Sequence, residues 1–263
     1  MKHATPWSVL CVLCVLGTQG RAQGSACDGD LGCVSEPPTA AVTRTPIETA
    51  AAKPPLAQLE RCPDVGVDIT AAPHEHRNLA CSAVHDAVKL LGRCDIPLRR
   101  TLHLQIMNEV RHPFSKEPVF WFFDTRQERV LVTREAVIAS LVEGTPYGEL
   151  PQRDFYRSLI VHEVVHGIMH QNLRRPATNH AAYEYPAYAL QVASLPADKR
   201  KKLLRSIPNR ARSGELVFND ANLFFDPSFF AVHAYEHFKS AANGCAQLHA
   251  LLNGEAFLPN LPP

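Results

Sequence analysis

The sequence lacks a surplus of charge of either sign. Its 263 residues include 27 Lys+Arg and 26 Asp+Glu, which gives a formal net charge of +1 at pH 7. Proteins that bind nucleic acids or anionic membranes displace counterions with a strongly basic surface, and a near-neutral chain has little to form one. We therefore expect no nucleic-acid partner and no anionic membrane partner.

Long apolar runs are also lacking. The apolar run near the N-terminus extends only from Trp7 to Gly17, far short of the ~20 residues that a transmembrane helix needs. A basic start at Lys2 precedes it, and the small residues Gly20 and Ala22 follow it at the −3 and −1 positions of a cleavage site. This arrangement predicts a signal peptide over residues 1–22 and an exported chain, periplasmic or secreted, with no membrane span after cleavage.

The exported part of the sequence has no Cys-x-x-Cys pair, which argues against a structural zinc site of that kind. Of eight cysteines, two lie in the predicted signal peptide. An even number in an exported chain indicates disulfide bonds, although many pairings are compatible with the sequence. Closeness along the chain favours Cys27–Cys33 and Cys81–Cys94, which leaves Cys62–Cys245.

Residues 23–55 have no sustained apolar periodicity. They are rich in Pro, Ala and Thr from Ser35 to Pro55, a composition typical of disordered segments. We expect a linker or propeptide here, with a small disulfide loop near its start. The folded domain is predicted to cover residues 56–263.

Within that domain, periodicity predicts strands first and helices afterwards. A helix is predicted at Asn78–Arg93 and a second, short one at Arg134–Leu141. Strands are predicted at Thr101–Met107, Pro118–Asp124 and Arg129–Thr133, the last two as a hairpin. Later helices are predicted at Asp154–Gln171, Tyr185–Ser194, Pro196–Ser206, Pro227–Ala242 and Cys245–Leu252. The order indicates the α+β class, with a small sheet beside a mainly helical half.

One predicted helix contains the motif His162-Glu163-Val164-Val165-His166. Histidines at i and i+4 project from the same helical face, so both imidazoles can bind one tetrahedral Zn²⁺. Glu163 lies beside the metal and can take a proton from water there. The alternative is a buried helix with hydrogen-bonded core histidines, but two imidazoles and a carboxylate on an apolar helix are costly to bury without a shared ligand.

A second motif, from His233 to His237, has the inverted order His-x-x-Glu-His. Inverzincins, which use that order, take a third carboxylate far downstream, where this sequence has only Glu255. We therefore expect no metal at this motif. His233 or Tyr235 remain candidates to line a cleft.

Residues 97 to 195 resemble the zincin metallopeptidases, specifically an exported bacterial member of the gluzincin type. In that family a glutamate on the next helix is the third zinc ligand, which here implies Glu184, with 17 residues between it and His166. The resemblance also implies a small mixed sheet ahead of the active-site helix, with an edge strand that binds extended peptide. Glu163 is implied as the general base and then the general acid.

Other third ligands fit less well. Metzincins would need Gly at 169 and His at 172, where this sequence has Met169 and Asn172. His170 is expected to face away from the site, and His180 to lie in a polar loop. Glu184 completes the His₂Glu set of catalytic zinc sites.

The sequence around Glu184 raises two further expectations. Pro186 predicts that Glu184 lies within or just before the first turn of its helix. Thermolysin-like members orient the first histidine with an aspartate where this sequence has Tyr188. Another carboxylate or a backbone carbonyl is therefore expected to make that contact, and Asp220 and Asp226 are candidates.

The expected function is therefore an exported zinc-dependent hydrolase, a peptidase with a peptide or protein substrate. Two alternatives remain open: a zincin-fold binding protein or envelope factor without turnover, and a disulfide-stabilised structural protein without metal. The sequence does not fix the oligomeric state, or whether cleavage is internal or terminal.

Overall fold

The structure, a computed structural model, describes residues 59–71, 74–112, 116, 118–139, 142, 144–176, 179–207, 217–240 and 244–255. The predicted signal peptide, the 23–55 linker and the Cys27–Cys33 pair lie outside these residues. The class is α+β, as the order of elements predicted.

A five-stranded sheet forms one part of the domain. Its spatial order is β1-β2-β3-β7-β6. The β2–β3 and β3–β7 pairs are parallel, whereas β1–β2 and β6–β7 are antiparallel. The strands are β1 (Leu59–Arg61), β2 (Val67–Thr70), β3 (Leu102–Met107), β6 (Trp121–Asp124) and β7 (Arg129–Thr133).

The predicted strand Pro118–Asp124 is divided at Phe120. Its first part, β5 (Pro118–Val119), pairs with β4 (Val110–Arg111) in a separate two-stranded ribbon. Its second part forms the predicted hairpin with β7, with Trp121 opposite Val132 and Asp124 opposite Arg129. The hairpin places β6 at one edge of the five-stranded sheet.

Eight helices are described in the resolved segments. They are α1 (His74–Gly92), α2 (Glu135–Ala139), α3 (Gln152–Asn172), α4 (His180–Ser194), α5 (Ala197–Ser206), α6 (Asp220–Phe225), α7 (Pro227–Lys239) and α8 (Gly244–Leu252). The α3 helix packs between α1 and α4, and α7 packs on the other side of α4. No helix in the described residues is both long and apolar enough to cross a membrane.

The two predicted disulfides within the described residues are wrong. Cys62 pairs with Cys81 and Cys94 with Cys245, with Cα–Cα distances of 5.5 and 5.0 Å. Cys81 lies inside α1 and Cys94 just beyond its end, so the helix separates them by roughly 20 Å at about 1.5 Å per residue. A disulfide needs Cα atoms within about 7 Å, so the rigid helix forbids the local pair.

Candidate metal centre

The α3 helix supplies three of the candidate site residues, and its position is fixed at its C-terminal end. The Gln171 side-chain oxygen accepts hydrogen bonds from the Arg99 and Arg100 backbone N–H groups, at 2.9 and 3.0 Å. Its nitrogen donates to the Arg100 carbonyl at 3.1 Å and to Glu128 at 2.9 Å. These bonds join α3 to the segment that leads into β3, so the helix and the sheet keep one relative position.

The α4 helix supplies the third predicted ligand. Its first turn is capped twice: Asn179 accepts from the Ala182 N–H at 2.9 Å, and Asp220 accepts from the Ala181 N–H at 2.8 Å. The helix therefore begins at His180, and Glu184 lies beyond its first turn. The expectation based on Pro186 is wrong, because α4 begins six residues before this proline and continues through it.

Three ligand atoms from α3 and α4 converge. The Nε2 atoms of His162 and His166 are 3.1 Å apart, and the Glu184 carboxylate oxygens lie 3.2 Å from His162 Nε2 and 3.5 Å from His166 Nε2. All three side chains are buried. Among the described residues, His162, His166 and Glu184 are the one group of three that could hold a metal ion.

The spacing of these atoms is close to that of a tetrahedral metal site. With bonds of about 2.0–2.1 Å to nitrogen and oxygen, an ideal tetrahedron places neighbouring ligand atoms about 3.3 Å apart. The two Nε2 atoms are 3.1 Å apart, and the two Glu184 oxygens lie at similar distances, Oε2 at 3.2 Å from His162 and Oε1 at 3.5 Å from His166. One ligand atom from each side chain lies within 4.8 Å of the others, so the three residues are close enough to share one cation.

Gln191 orients the first histidine. Its side-chain oxygen accepts a hydrogen bond from His162 Nδ1 at 3.0 Å, which leaves the Nε2 lone pair directed at the candidate metal position. Gln191 is two helical turns beyond Glu184 on α4, so both project toward α3. The Tyr188 ring meets the His162 ring edge to face, at 4.6 Å between centroids.

The aspartates considered for this role have other functions. Asp220 caps α4, and Asp226 caps α7 by accepting from the Phe229 N–H at 2.9 Å. Sequence reasoning missed Gln191 because a carboxylate or a backbone carbonyl was expected, not a side-chain amide. Its spacing of seven residues from Glu184 is a signal that could have found it.

Glu163 faces the same site without a hydrogen-bonding partner. Its side chain is fully buried, and neither carboxylate oxygen has a hydrogen bond within the described part of the chain. Its Oε1 lies 3.7 Å from His162 Nε2. Burial raises the pKa of Glu163 to about 8, against the opposing effect of His166, and the negative charge of Glu184 adds to the rise.

The charges of Glu184 and His166 stabilise each other. Burial by itself would raise the pKa of Glu184, but the neighbouring imidazoles hold it well below its usual range. Burial opposes the charged form of His166, yet Glu184 raises the pKa of that histidine to about 8. Burial lowers the pKa of His162. The site thus stabilises negative charge on Glu184 and positive charge opposite it.

The remaining histidine candidates are not brought to the site. His237 Nδ1 is 2.6 Å from the Tyr185 hydroxyl, and the tilted rings of His233 and Phe229 are in contact, with centroids 4.1 Å apart. Glu236, between them, forms an ion pair with Lys239 at 2.8 Å. The Tyr235 ring lies beneath the cations of Arg200 and Lys239. His180 is exposed at the start of α4.

The geometry defines a buried His₂Glu group with a free carboxylate beside it, at the centre of an α+β domain. The chain belongs to the Family of unknown function (DUF6639), whose model matches residues 67–260 and so includes all four site residues. No curated protein and no solved structure matches the chain.

Proposed function

We propose that the protein is an exported zinc-dependent hydrolase that cleaves peptide bonds. The observation that supports this most directly is the convergence of His162, His166 and Glu184, with the unpaired carboxylate of Glu163 at 3.7 Å from His162 Nε2. Two imidazoles and one carboxylate are the protein ligands of many catalytic zinc sites, which keep a fourth position open. Zinc is therefore the metal that this ligand set favours.

Zinc bound by these three residues supplies Lewis acidity, which polarises a carbonyl group and makes water more acidic. Glu163 is the residue of this chain that can move protons there. Its carboxylate removes a proton from the attacking water and afterwards gives it to the leaving nitrogen. A pKa raised by burial suits both steps, because a base near neutral pH also works as an acid.

The sheet edge beside α3 supports a peptide as the substrate. Among the described residues, β6 pairs with β7 on one side and with no strand on its other side. An unpaired strand edge offers backbone donors and acceptors to an extended peptide. Trp121 on β6 lies 6.4 Å from the His162 ring, measured between centroids, so a peptide on this edge would pass the metal ligands.

Two disulfide bonds support an exported protein. Cys62–Cys81 and Cys94–Cys245 would persist in an oxidising compartment, whereas cytosolic thiols are kept reduced. Export therefore agrees with the signal peptide that the sequence predicts.

The first test is the metal content of the purified protein. We expect about one zinc per chain by elemental analysis, and loss of zinc in Glu184→Ala because the third ligand is removed. Glu149→Ala is the matched control, since Glu149 is an exposed glutamate paired with Lys202 at 3.2 Å. Zinc-free wild-type protein, after incubation with the metal, would contradict the proposed site.

The second test is hydrolysis of a peptide mixture by the zinc-loaded protein. We expect cleavage that a chelator abolishes and added zinc restores. Glu163→Gln should keep its zinc and lose cleavage, because the amide cannot accept the proton, whereas Glu149→Gln should be active. Cleavage at the wild-type rate by Glu163→Gln would refute the assigned role. Bound zinc without any chelator-sensitive cleavage would favour a binding protein.

A further inference from the structure

A pocket opens directly beside the candidate metal position. It is formed by the C-terminal half of α3, the start of α4, the end of α8 and the β6–β7 hairpin, and its mouth is open to solvent. His166 is part of its wall, so the pocket begins at a proposed metal ligand. A group held in this pocket would lie next to the reacting bond.

The wall of the pocket is mostly apolar. Phe123, Met169, Leu173 and Leu251 line it, and none of the residues around it carries a formal charge apart from the histidines. A charged side chain would leave water there without gaining a counter-charge, which costs free energy. An apolar side chain gains free energy in proportion to the surface that it buries.

The histidine inside the pocket, His170, adds no charge near neutral pH. Its ring packs edge to face against Phe123, with centroids 5.4 Å apart, and its Nδ1 is buried without a hydrogen bond in the described structure. Burial lowers the pKa of His170, which keeps the imidazole neutral. Apart from His166, the proposed metal ligand, the wall therefore presents no charged side chain to a bound group.

The pocket is held in shape from both ends of α8. Cys245 at the start of this helix is bonded to Cys94. At its end, the Leu252 carbonyl accepts hydrogen bonds from the backbone N–H groups of Arg174 and Arg175, at 2.8 and 3.3 Å. The wall that α8 contributes is therefore formed before any ligand binds, so little ordering opposes binding.

The direction of β6 relates the pocket to a bound peptide. Alternate residues of a strand point to the same side, and Trp121 lies beside His162 while Phe123 lies beside His170. The strand thus runs from the metal ligands toward the pocket. Antiparallel pairing is the more stable kind per residue, and a peptide paired antiparallel to β6 runs from the pocket toward the metal ligands. Its residue in the pocket then precedes the cleaved bond.

We propose that this pocket receives a bulky apolar side chain on the N-terminal side of the cleaved bond, which makes peptides with Leu, Ile, Met or Phe at that position the substrate class. The inference rests on the proposed function for its cleavage step. The binding step stands apart from it, because the pocket can hold a side chain without turnover.

The cleavage test uses zinc-loaded wild-type protein and a peptide mixture in which every residue type is equally frequent at every position. Cut sites are mapped by mass spectrometry. We expect Leu, Ile, Met and Phe to exceed Asp and Lys by about tenfold or more at one of the two positions before the cut. Cuts without such a preference, or a preference confined to positions after the cut, would overturn the proposal.

Charge-introducing variants test the pocket itself. Thr125 lines the pocket from the hairpin turn, so Thr125→Asp should move the preference at that position toward Lys and Arg, and Thr125→Lys toward Asp and Glu. Gln127→Asp is the matched control, since it adds the same charge at an exposed position of the same turn. Opposite shifts in the two Thr125 variants cannot arise from a general loss of folding. Unchanged preferences in both would contradict the assignment.

A binding measurement separates this inference from the proposed function. Zinc-loaded Glu163→Gln is titrated with fluorescent peptides that carry Leu, Ala or Asp at the selected position, or at each position in turn if wild type cuts nothing. Tighter binding of the Leu peptide by about tenfold supports the pocket, even where wild-type protein fails to cleave and the hydrolase proposal falls. Equal affinities, or no binding of any peptide, overturn the pocket assignment even if hydrolysis is observed.

Discussion

The contact between α3 and β3 predicts a specific effect of Gly167→Ala. Gly167 follows the ligand His166, and a β-carbon at this position would lie 2.8 and 2.9 Å from the two methyl carbons of Leu102. Carbon atoms in contact are normally about 3.5–4.0 Å apart, so the helix or the leucine must move by about 1 Å. Leu102 is fully buried and its strand pairs with β2 at Val67, which restricts that movement.

Two opposing terms set the magnitude. Replacing glycine by alanine inside a helix stabilises it by about 1 kcal/mol, whereas overpacking a core costs about 1–3 kcal/mol. We expect Gly167→Ala to lower the free energy of unfolding by about 1 kcal/mol in urea titrations. Gly92→Ala is the control, because its β-carbon would meet nothing within 4 Å, and it should be neutral or stabilising.

The same displacement should reach the metal site. A shift of α3 at Gly167 moves His166 relative to Glu184, so zinc affinity should fall by tenfold or more, on the order of the loss seen when a ligand is misplaced. The double variant with Leu102→Ala should recover part of the loss in zinc affinity, because it removes the clashing methyl groups, although the cavity left at the fully buried Leu102 lowers stability further. The steric reasoning fails if Gly167→Ala matches Gly92→Ala in stability and binds zinc as wild type does.

Three other predictions follow from single contacts. Gln191→Leu should weaken zinc binding about 10–100-fold in a chelator competition titration, because leucine cannot accept the hydrogen bond from His162 Nδ1. Gln191→Glu, which can accept that hydrogen bond, should bind zinc more tightly than Gln191→Leu. Equal affinities of the two variants would refute this. Replacing Cys94 and Cys245 by serine should lower the free energy of unfolding by about 5 kcal/mol, whereas replacing Cys62 and Cys81 should lower it by about 3 kcal/mol. The first disulfide closes a loop of 151 residues and the second a loop of 19, and the longer loop restricts the unfolded chain more. Urea midpoints in the reverse order would contradict this prediction. Burial lowers the pKa of His237 in the folded protein. Below about pH 6.5, the pKa in the unfolded chain, the unfolded chain therefore binds a proton at this histidine more readily, and the free energy of unfolding decreases as the pH falls. His237→Gln should lose less stability than wild type between about pH 7 and pH 5, and an equal loss would exclude His237 as a cause of the decrease.

The parts of the site that depend on one helix could be predicted from the sequence. His162 and His166 share a face of α3 because any α-helix repeats after about 3.6 residues, whatever it packs against. Glu163 followed from the same geometry. Glu184 is different, because its distance to the histidines depends on how α4 packs on α3. The resemblance to gluzincins supplied that ligand, and the structure brings its carboxylate to the two imidazoles.

The wrong predictions of the disulfides and of the start of α4 share one physical origin: local sequence does not show where a rigid helix separates two residues or where a distant side chain caps a helix. Cys81 and Cys94 are close in sequence, but most of the chain between them is helical and cannot fold back. Pro186 suggested a late start for α4, whereas the caps from Asn179 and Asp220 begin the helix earlier. Asp220 is 39 residues beyond Ala181 in the sequence, so no local pattern predicts that it caps α4.

From the charges in the core we expect the proposed metal to contribute to the stability of the fold as well. Glu163 and Glu184 bring two carboxylates into a fully buried site, and repulsion by Glu184 is one cause of the raised pKa of Glu163. Gln191 is neutral and the Tyr188 ring contributes no cation, so His166, whose pKa is raised to about 8, offsets one of the two negative charges at most. A divalent cation between His162, His166 and Glu184 balances both carboxylates at once. Glu163, the carboxylate proposed to transfer protons, is thus also the group that gains most from the proposed metal, because a buried carboxylate without a hydrogen-bonding partner among the described residues is tolerated where a dication lies next to it.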